Sequence, residues 1–124
     1  MTDFASSLDL ASSAMRAQAK RLRHLSENIA NADTPGYRRK TVPFRLEDGM
    51  VRTGPVRLDP SEGEKIYDPS HPMADQTGHY TGSNVDLMIE VADAREAQRS
   101  YDANLRIFDQ TRKMRSDLLS LLKR

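Results

Sequence analysis

Apolar residues in the first third of the chain recur at alternating intervals of three and four positions. The run consists of Leu8, Ala11, Met15, Gln18, Leu22, Leu25, Ile29 and Ala32. This heptad spacing predicts a helix from about residue 6 to residue 32 with one narrow apolar stripe. A helix of about 26 residues is about 40 Å long. Such a stripe needs a partner to cover it.

The last third of the chain has a second heptad pattern. It consists of Leu87, Val91, Ala94, Gln98, Tyr101, Leu105 and Phe108, and beyond Phe108 the strict register drifts. Residues 84–122 are therefore predicted to form a helix of about 38 residues, or about 55 Å. Acidic residues crowd its start and basic residues its end, as the helix dipole favours. They are Asp86, Glu90, Asp93 and Glu96, and Arg112, Lys113, Arg115, Lys123 and Arg124.

Residues 35–83 lack helical periodicity. Pro35 disfavours the helical conformation for Thr34, and Gly36 can adopt a positive φ, so the pair predicts a turn that ends the first helix. Five of the six prolines and five of the six glycines lie between residues 38 and 82. Short apolar runs at residues 41–44 and 50–51 predict a few short strands within otherwise irregular backbone.

These patterns predict a mainly α fold. Two long terminal helices form a coiled coil, and an extended, partly β, Pro/Gly-rich segment connects them. The predicted units are residues 1–34, 35–83 and 84–124, with both helices in one domain. A plain two-helix hairpin with a disordered insert fits the pattern equally well.

Composition limits the possible functions. Hydrophobic residues make up 37% of 124 residues, which is little for an independent core. There is no cysteine, and the formal net charge is only +1. Residues 1–14 lack the basic and long apolar regions of a signal peptide, and we expect export without a cleaved one. No run of residues is apolar enough to predict direct membrane insertion.

Positive charge is concentrated between residues 16 and 40. This segment contains seven basic residues and two acidic ones, and Arg38, Arg39 and Lys40 are consecutive. The cluster either binds an acidic surface, of nucleic acid, lipid or a partner protein, or forms a solvated face. It supports the alternative function, a basic-patch binding module for nucleic acid or a membrane surface. The near-neutral total charge argues against nucleic acid as a partner.

Candidate catalytic residues are sparse. His24 is predicted to be solvated, and His71 and His79 lie in the irregular segment with too few nearby ligands for a metal site. The sequence lacks HExxH, GxSxG and phosphate-loop motifs. We therefore expect no enzymatic activity, no metal and no cofactor.

Asn28 and Asn31 are weak helix formers in the last turns of the first helix. Their amides are suited to binding free carbonyls or bridging to a neighbouring chain. Alternatively, they only help to end the helix together with Asp33 and Pro35.

Two segments resemble a known family. Residues 25–37, LSENIANADTPGY, resemble the N-terminal signature of flagellar basal-body rod and hook proteins, and residues 99–105, RSYDANL, resemble the matching C-terminal signature. Residues 67–75, YDPSHPMAD, with Asn84-Val85-Asp86, are similar to the proximal rod members of this family. The resemblance spans nearly the whole chain.

The resemblance implies a structural subunit of the proximal rod, the drive shaft in the periplasmic space. The implied partners are other rod proteins, copies of the chain itself, the membrane-embedded ring, the rod-base adaptor protein and the flagellar type III export apparatus. Helical polymerisation would transmit torque and would cover both narrow stripes. The predicted assembly seam consists of Leu8, Met15, Leu22, Leu25, Ile29, Val91, Tyr101, Leu105 and Phe108. The predicted signature junction consists of Asn28, Asn31, Thr34, Pro35, Gly36 and Tyr37.

Overall fold

The computed structural model describes residues 2–123, so Met1 and Arg124, the ends of the predicted units 1–34 and 84–124, lie outside the described residues. The chain begins and ends with a long helix, and six short strands lie between the two helices in the sequence. The elements in chain order are α1 (Thr2–Ala30), β1 (Lys40–Thr41), β2 (Phe44–Glu47), β3 (Met50–Thr53), β4 (Arg57–Leu58), β5 (Lys65–Tyr67), β6 (His79–Thr81) and α2 (Leu87–Leu122). Within this range, no helix is long and apolar enough to cross a membrane.

The helix termini follow from local chemistry. The chain turns after Ala30, where α1 ends. Residues 34–37 then form a type II turn with Pro35 and Gly36 at its centre. The Tyr37 N–H donates to the Thr34 carbonyl at 3.1 Å, and Gly36 has φ +74°. At the start of α2, the Asp86 carboxylate accepts the first free backbone N–H groups of the helix. The predicted turn and the end of α2 are confirmed, whereas α2 begins three residues later than predicted.

The two helices run antiparallel. Asn28 near the end of α1 contacts Glu90 near the start of α2, and Arg21 contacts Glu96 one to two turns further on. Because α2 has 36 residues and α1 has 29, α2 projects beyond the N-terminal end of α1. Leu121 and Leu122, at this end, are exposed.

The face that α2 turns towards α1 differs from the predicted stripe by one position. Glu90 and Ala97 of α2 are buried, and its half-buried residues are Asp93, Ala94, Ser100, Tyr101, Asn104, Phe108, Thr111 and Arg115. Ala94, Tyr101 and Phe108 belong to both sets, whereas Val91 and Leu105 of the predicted stripe are each 41% exposed. Small residues, with Ala97 fully buried, allow α1 to approach closely at this face.

Strands β1–β4 form one interrupted antiparallel ribbon. β2 pairs with β3, and β1 pairs with β4 beyond the interruption at Pro43. Asp48 and Gly49 connect β2 and β3 with φ values of 52° and 73°, as a two-residue type I′ turn requires. The ribbon packs on α1 through Ser13, whose Oγ accepts the Val51 N–H at 2.9 Å.

Strands β5 and β6 form a separate antiparallel pair, joined by a loop of tight turns. Asp75 organises this loop, because its carboxylate accepts the N–H groups of Thr77 and His79 and the Thr77 hydroxyl. The two helices and the short antiparallel strands agree with the predicted class. The middle segment is folded, which argues against a disordered insert.

Candidate functional site: the junction of the helices and the middle segment

Asn28 is the centre of the junction. Its side chain is fully buried and makes four hydrogen bonds. Nδ2 donates to the Lys40 carbonyl at 2.9 Å and to Glu90 Oε2 at 3.2 Å. Oδ1 accepts the Tyr37 hydroxyl at 2.8 Å and the Lys40 N–H at 2.9 Å. Both donors and both acceptor positions of the amide are therefore used.

Glu90 is the second fully buried polar residue of the junction. Its Oε1 accepts the Arg39 Nε–H at 2.6 Å, so the carboxylate lies between a guanidinium and an amide. Arg39 also lies 3.7 Å from Asp59 and 3.6 Å from Asp93. Burial lowers the pKa of Arg39, but the hydrogen bond and charge of Glu90 outweigh this effect and raise it. A buried carboxylate is tolerated here because it is paired and hydrogen-bonded.

Asn84 joins the segment before α2 to the same junction. Its Oδ1 accepts the Arg39 N–H at 2.6 Å, and its Nδ2 donates to the carbonyls of Asp59 and Ser61 at 3.1 and 3.0 Å. The Ser83 hydroxyl donates to the Ala32 carbonyl. One network therefore connects the end of α1, the base of the ribbon and the start of α2.

Charged and phenolic groups surround the network. Lys40 Nζ lies 2.9 Å from Glu27 Oε2, and this hydrogen bond lowers the pKa of Glu27 and raises that of Lys40. The Tyr37 hydroxyl donates to Asn28, and burial raises the pKa of this phenol above its ordinary value of 10.0.

The predicted junction residues lie together. Asn31 Nδ2 donates to the Glu27 carbonyl at 2.9 Å, which also accepts the Asn31 N–H at 3.0 Å, and Asn31 Oδ1 accepts the Thr34 hydroxyl at 3.1 Å. The Gly36 N–H donates to the Thr81 carbonyl at 3.1 Å. Asn31 thus adds a second hydrogen bond to a carbonyl of the last turn of α1, rather than binding a free carbonyl. Asn28 instead joins α1 to α2 and β1 of the same chain.

The predicted seam residues occupy two environments. On α1, Leu25 is buried, and Leu8, Met15, Leu22 and Ile29 are half-buried. On α2, Tyr101 and Phe108 are half-buried against α1, and Val91 and Leu105 are exposed. Contact of this seam with a neighbouring subunit stays a prediction.

The histidines do not converge. His71 stacks on Tyr80 with a ring separation of 3.9 Å, and His79 meets Tyr67 edge-on at 5.1 Å. The predicted solvation of His24 is wrong, because its side chain is only 12% exposed and lies 3.6 Å from Glu27. Helical spacing placed His24 beside the basic face but did not reveal that the middle segment covers it. Among residues 2–123, no group of acidic and histidine side chains is arranged to hold a metal ion.

The consecutive basic residues bind within the chain. Arg39 and Lys40 pair with acidic residues, and Arg38 donates to the Pro60 carbonyl at 2.9 Å. Arg21 also pairs, with Asp93 and Glu96. These internal contacts weaken the case for the alternative basic-patch binding module.

The sequence analysis did not identify Glu90, Arg39 or Asn84 as junction residues. Glu90 was attributed to the helix dipole, and nothing in helical periodicity distinguishes it from Asp93.

Comparisons with known proteins agree with the two signatures. The family described as "Flagella basal body rod protein" matches residues 8–38, and "Flagellar basal body rod FlgEFG protein C-terminal" matches residues 76–121. The flagellar basal-body rod protein FlgC of Agrobacterium fabrum is 46% identical, with 92% of this chain and 91% of the relative covered. FlgC of Yersinia enterocolitica and of Salmonella typhimurium are 34% and 33% identical, each with 91% of this chain and 93% of the relative covered.

The chain belongs to the flagellar basal-body rod protein family, and Asn28 and Tyr37 of the junction lie in the segment that matches this family's N-terminal model. It is a structural subunit of the rod in the flagellar basal body rather than an enzyme. Within the family it is similar to the flagellar basal-body rod protein FlgC over nearly its whole length.

Proposed function

We propose that the chain polymerises helically in the proximal rod, in the periplasmic space, and transmits torque there. Its partners are copies of itself and other rod proteins, with the membrane-embedded ring and the rod-base adaptor protein at the base of the rod. It reaches this position through the flagellar type III export apparatus.

In this proposal the helices, from units 1–34 and 84–124, form one coiled-coil domain in the inner layer of the rod. Residues 35–83 pack outside it. The junction around Asn28 and Glu90 holds the outer segment at a constant angle to the helices, so torque on one layer reaches the other.

The observation that supports this proposal is the exposure of two predicted seam residues on α2. Val91 and Leu105 lie beside the face that contacts α1 but are not covered by it. Exposed apolar residues at heptad spacing favour contact with a further helix. Such contacts between different surfaces do not close on themselves and therefore generate a helical assembly.

A charge on the exposed seam tests this proposal. Leu105→Asp is expected to leave the isolated chain folded, because Leu105 is already exposed, but to prevent assembly, because the carboxylate would be buried unpaired in the rod. Ala103→Asp is the matched control, since Ala103 is exposed about 200° around the same helix.

The readout is electron microscopy of basal bodies from cells in which each variant replaces the gene. Deletion of the gene is expected to abolish rod, hook and filament. Ala103→Asp should restore all three, and Leu105→Asp should restore none. Normal rods with Leu105→Asp would show that the seam assignment is wrong.

A further inference from the structure

Three basic side chains line one cleft, and a fourth lies on the neighbouring strand opposite one of them. Arg16 and Lys20 of α1 and Arg52 of β3 line a cleft of about 260 Å³ between the helix and the ribbon. Arg45 lies opposite Arg52 in the β2–β3 register. None of the four belongs to an ion pair within 4.0 Å among residues 2–123. We call these four residues the basic cleft.

The arrangement of the basic cleft is unfavourable for the isolated chain. Like charges four residues apart on a helix, as at Arg16 and Lys20, repel each other. Like charges directly opposite on antiparallel strands, as at Arg45 and Arg52, do the same. Among the described residues, the lysines and arginines with an acidic partner are Arg21, Arg39, Lys40 and Arg112. The basic cleft has no such partner there, so an acidic surface from outside the chain would relieve its repulsion.

A complementary surface lies at the other end of α1. Asp33, Glu64 and Asp86 line a cleft of about 540 Å³ where α1 ends and α2 begins, together with the apolar side chains of Ile66 and Leu87. None of the three carboxylates belongs to an ion pair among the described residues. We call these three residues the acidic face.

The two surfaces cannot meet within one molecule. From the middle of the basic cleft on α1 to Ala32 is about 14 residues, or about 20 Å along the helix direction. A pairing of the two surfaces must therefore join two copies, each presenting a different surface to the other. A contact of this kind repeats in one direction and does not close into a dimer.

We propose that the basic cleft of one subunit binds the acidic face of a second copy of this chain. This inference rests on the proposed polymerisation and adds to it the surfaces that hold neighbouring copies in register outside the helical seam. Opposite charges on the two faces orient the incoming subunit and disfavour pairing of like faces.

Charge reversal in the full-length chain tests this pairing. Arg45→Glu/Arg52→Glu and Asp33→Arg/Glu64→Arg are each expected to lower the amount of the chain in isolated basal bodies by about tenfold or more, because like charges would then face each other. The combination of all four substitutions is expected to restore incorporation. Asp86 is left unchanged because it caps α2.

Each alternative result decides the question. Normal incorporation of both double variants would overturn the proposal. Loss with the basic-cleft variant but not with the acidic-face variant would assign the cleft to an acidic partner other than a second copy, and would also overturn it. Failure of the fourfold variant to restore incorporation, with a melting temperature like that of the wild type, would exclude direct pairing.

A second measurement covers variants that fail to fold. The chain has no cysteine, so Arg52→Cys combined with Glu64→Cys places two unique thiols on the two surfaces. Oxidation of basal bodies that contain this variant is expected to give covalent multimers of the chain. Arg52→Cys with Asp102→Cys, an exposed position on α2, is expected to give none.

Incorporated but uncrosslinked Arg52→Cys/Glu64→Cys chain would overturn the pairing while leaving the proposed function intact. Absence of the wild-type chain from basal bodies would contradict the proposed function itself.

Discussion

Asn28 and Glu90 are 62 positions apart in the sequence, yet their side chains share a hydrogen bond of 3.2 Å in the interior, and neither is exposed to solvent. The contact joins the two helices at the point where the middle segment leaves and returns. A polar contact in this position specifies one arrangement, because any shift of the helices would leave a buried carboxylate and a buried amide without partners.

Truncation of Asn28 is expected to be costly. Asn28→Ala removes the partners of the Tyr37 hydroxyl, of both Lys40 backbone groups and of one Glu90 oxygen, and should lower the free energy of unfolding by about 2 to 4 kcal/mol. Urea unfolding followed by circular dichroism measures this loss. Asn104→Ala is the control, because that amide donates only to the Ser100 carbonyl within its own helix. Equal losses for the two variants would contradict the central position of Asn28.

The left-handed backbone at Gly36 predicts a graded response to substitution. A Cβ at this position meets no atom within 4 Å, so strain in φ is the only cost. Gly36→Ala should lower the free energy of unfolding by about 1 to 2 kcal/mol. Gly36→Asn should cost less, since asparagine tolerates this conformation better. Unfolding curves for both variants check the order, and a larger loss with asparagine would exclude this explanation.

The Glu27–Lys40 pair predicts a local pH dependence. The folded state lowers the pKa of Glu27 below its ordinary value of 4.5, chiefly through the hydrogen bond from Lys40. The pair therefore contributes stability that is fully present above that ordinary value and is lost as the pH falls through the lowered one.

Nuclear magnetic resonance titration of the Glu27 carboxyl carbon measures this shift directly. The Lys40→Met variant should return the pKa of Glu27 towards its ordinary value. Lys20→Met removes a lysine that has no ion pair among the described residues and should leave the titration unchanged. A titration unaffected by Lys40→Met would assign the shift to other groups.

The close approach of the helices predicts sensitivity at Ala97. This residue is fully buried, so Ala97→Leu would force apart α1 and α2 and should lower the free energy of unfolding by about 1 to 3 kcal/mol. Ala103→Leu adds the same side chain at an exposed position of the same helix and should change stability by less than about 0.5 kcal/mol. Thermal unfolding of the two variants tests this difference.

The helices and the turn between Thr34 and Tyr37 were predictable because each depends on a local pattern. The type I′ turn at Asp48 and Gly49 was also available, since an Asp-Gly pair between short apolar runs is a strong hairpin signal, but the prediction did not use it. The identity of the strand pairs was not predictable from runs of only two to four residues.

The exposed face of α2 and the buried carboxylate of Glu90 were harder to predict for one physical reason. Heptad periodicity reports where apolar residues lie, not which neighbour covers them. Val91 and Leu105 follow the apolar pattern, whereas the chain packs Ala97 and Glu90 against its own first helix. Small, polar and aromatic residues of α2 form the intrachain contact, and the aliphatic side chains of Val91 and Leu105 remain on the surface.

The overlap between the inner face of α2 and the proposed seam has a mechanical consequence. Tyr101 and Phe108 belong both to the face that packs on α1 and to the proposed seam. In the proposed rod, a neighbouring helix that pushes on this seam presses on side chains of α2 that already pack against α1. The force then passes from α2 to α1 through side chains and not through loop backbone. Two helices coupled in this way resist twisting as a single unit. The torsional stiffness of the pair exceeds the sum for two separate helices.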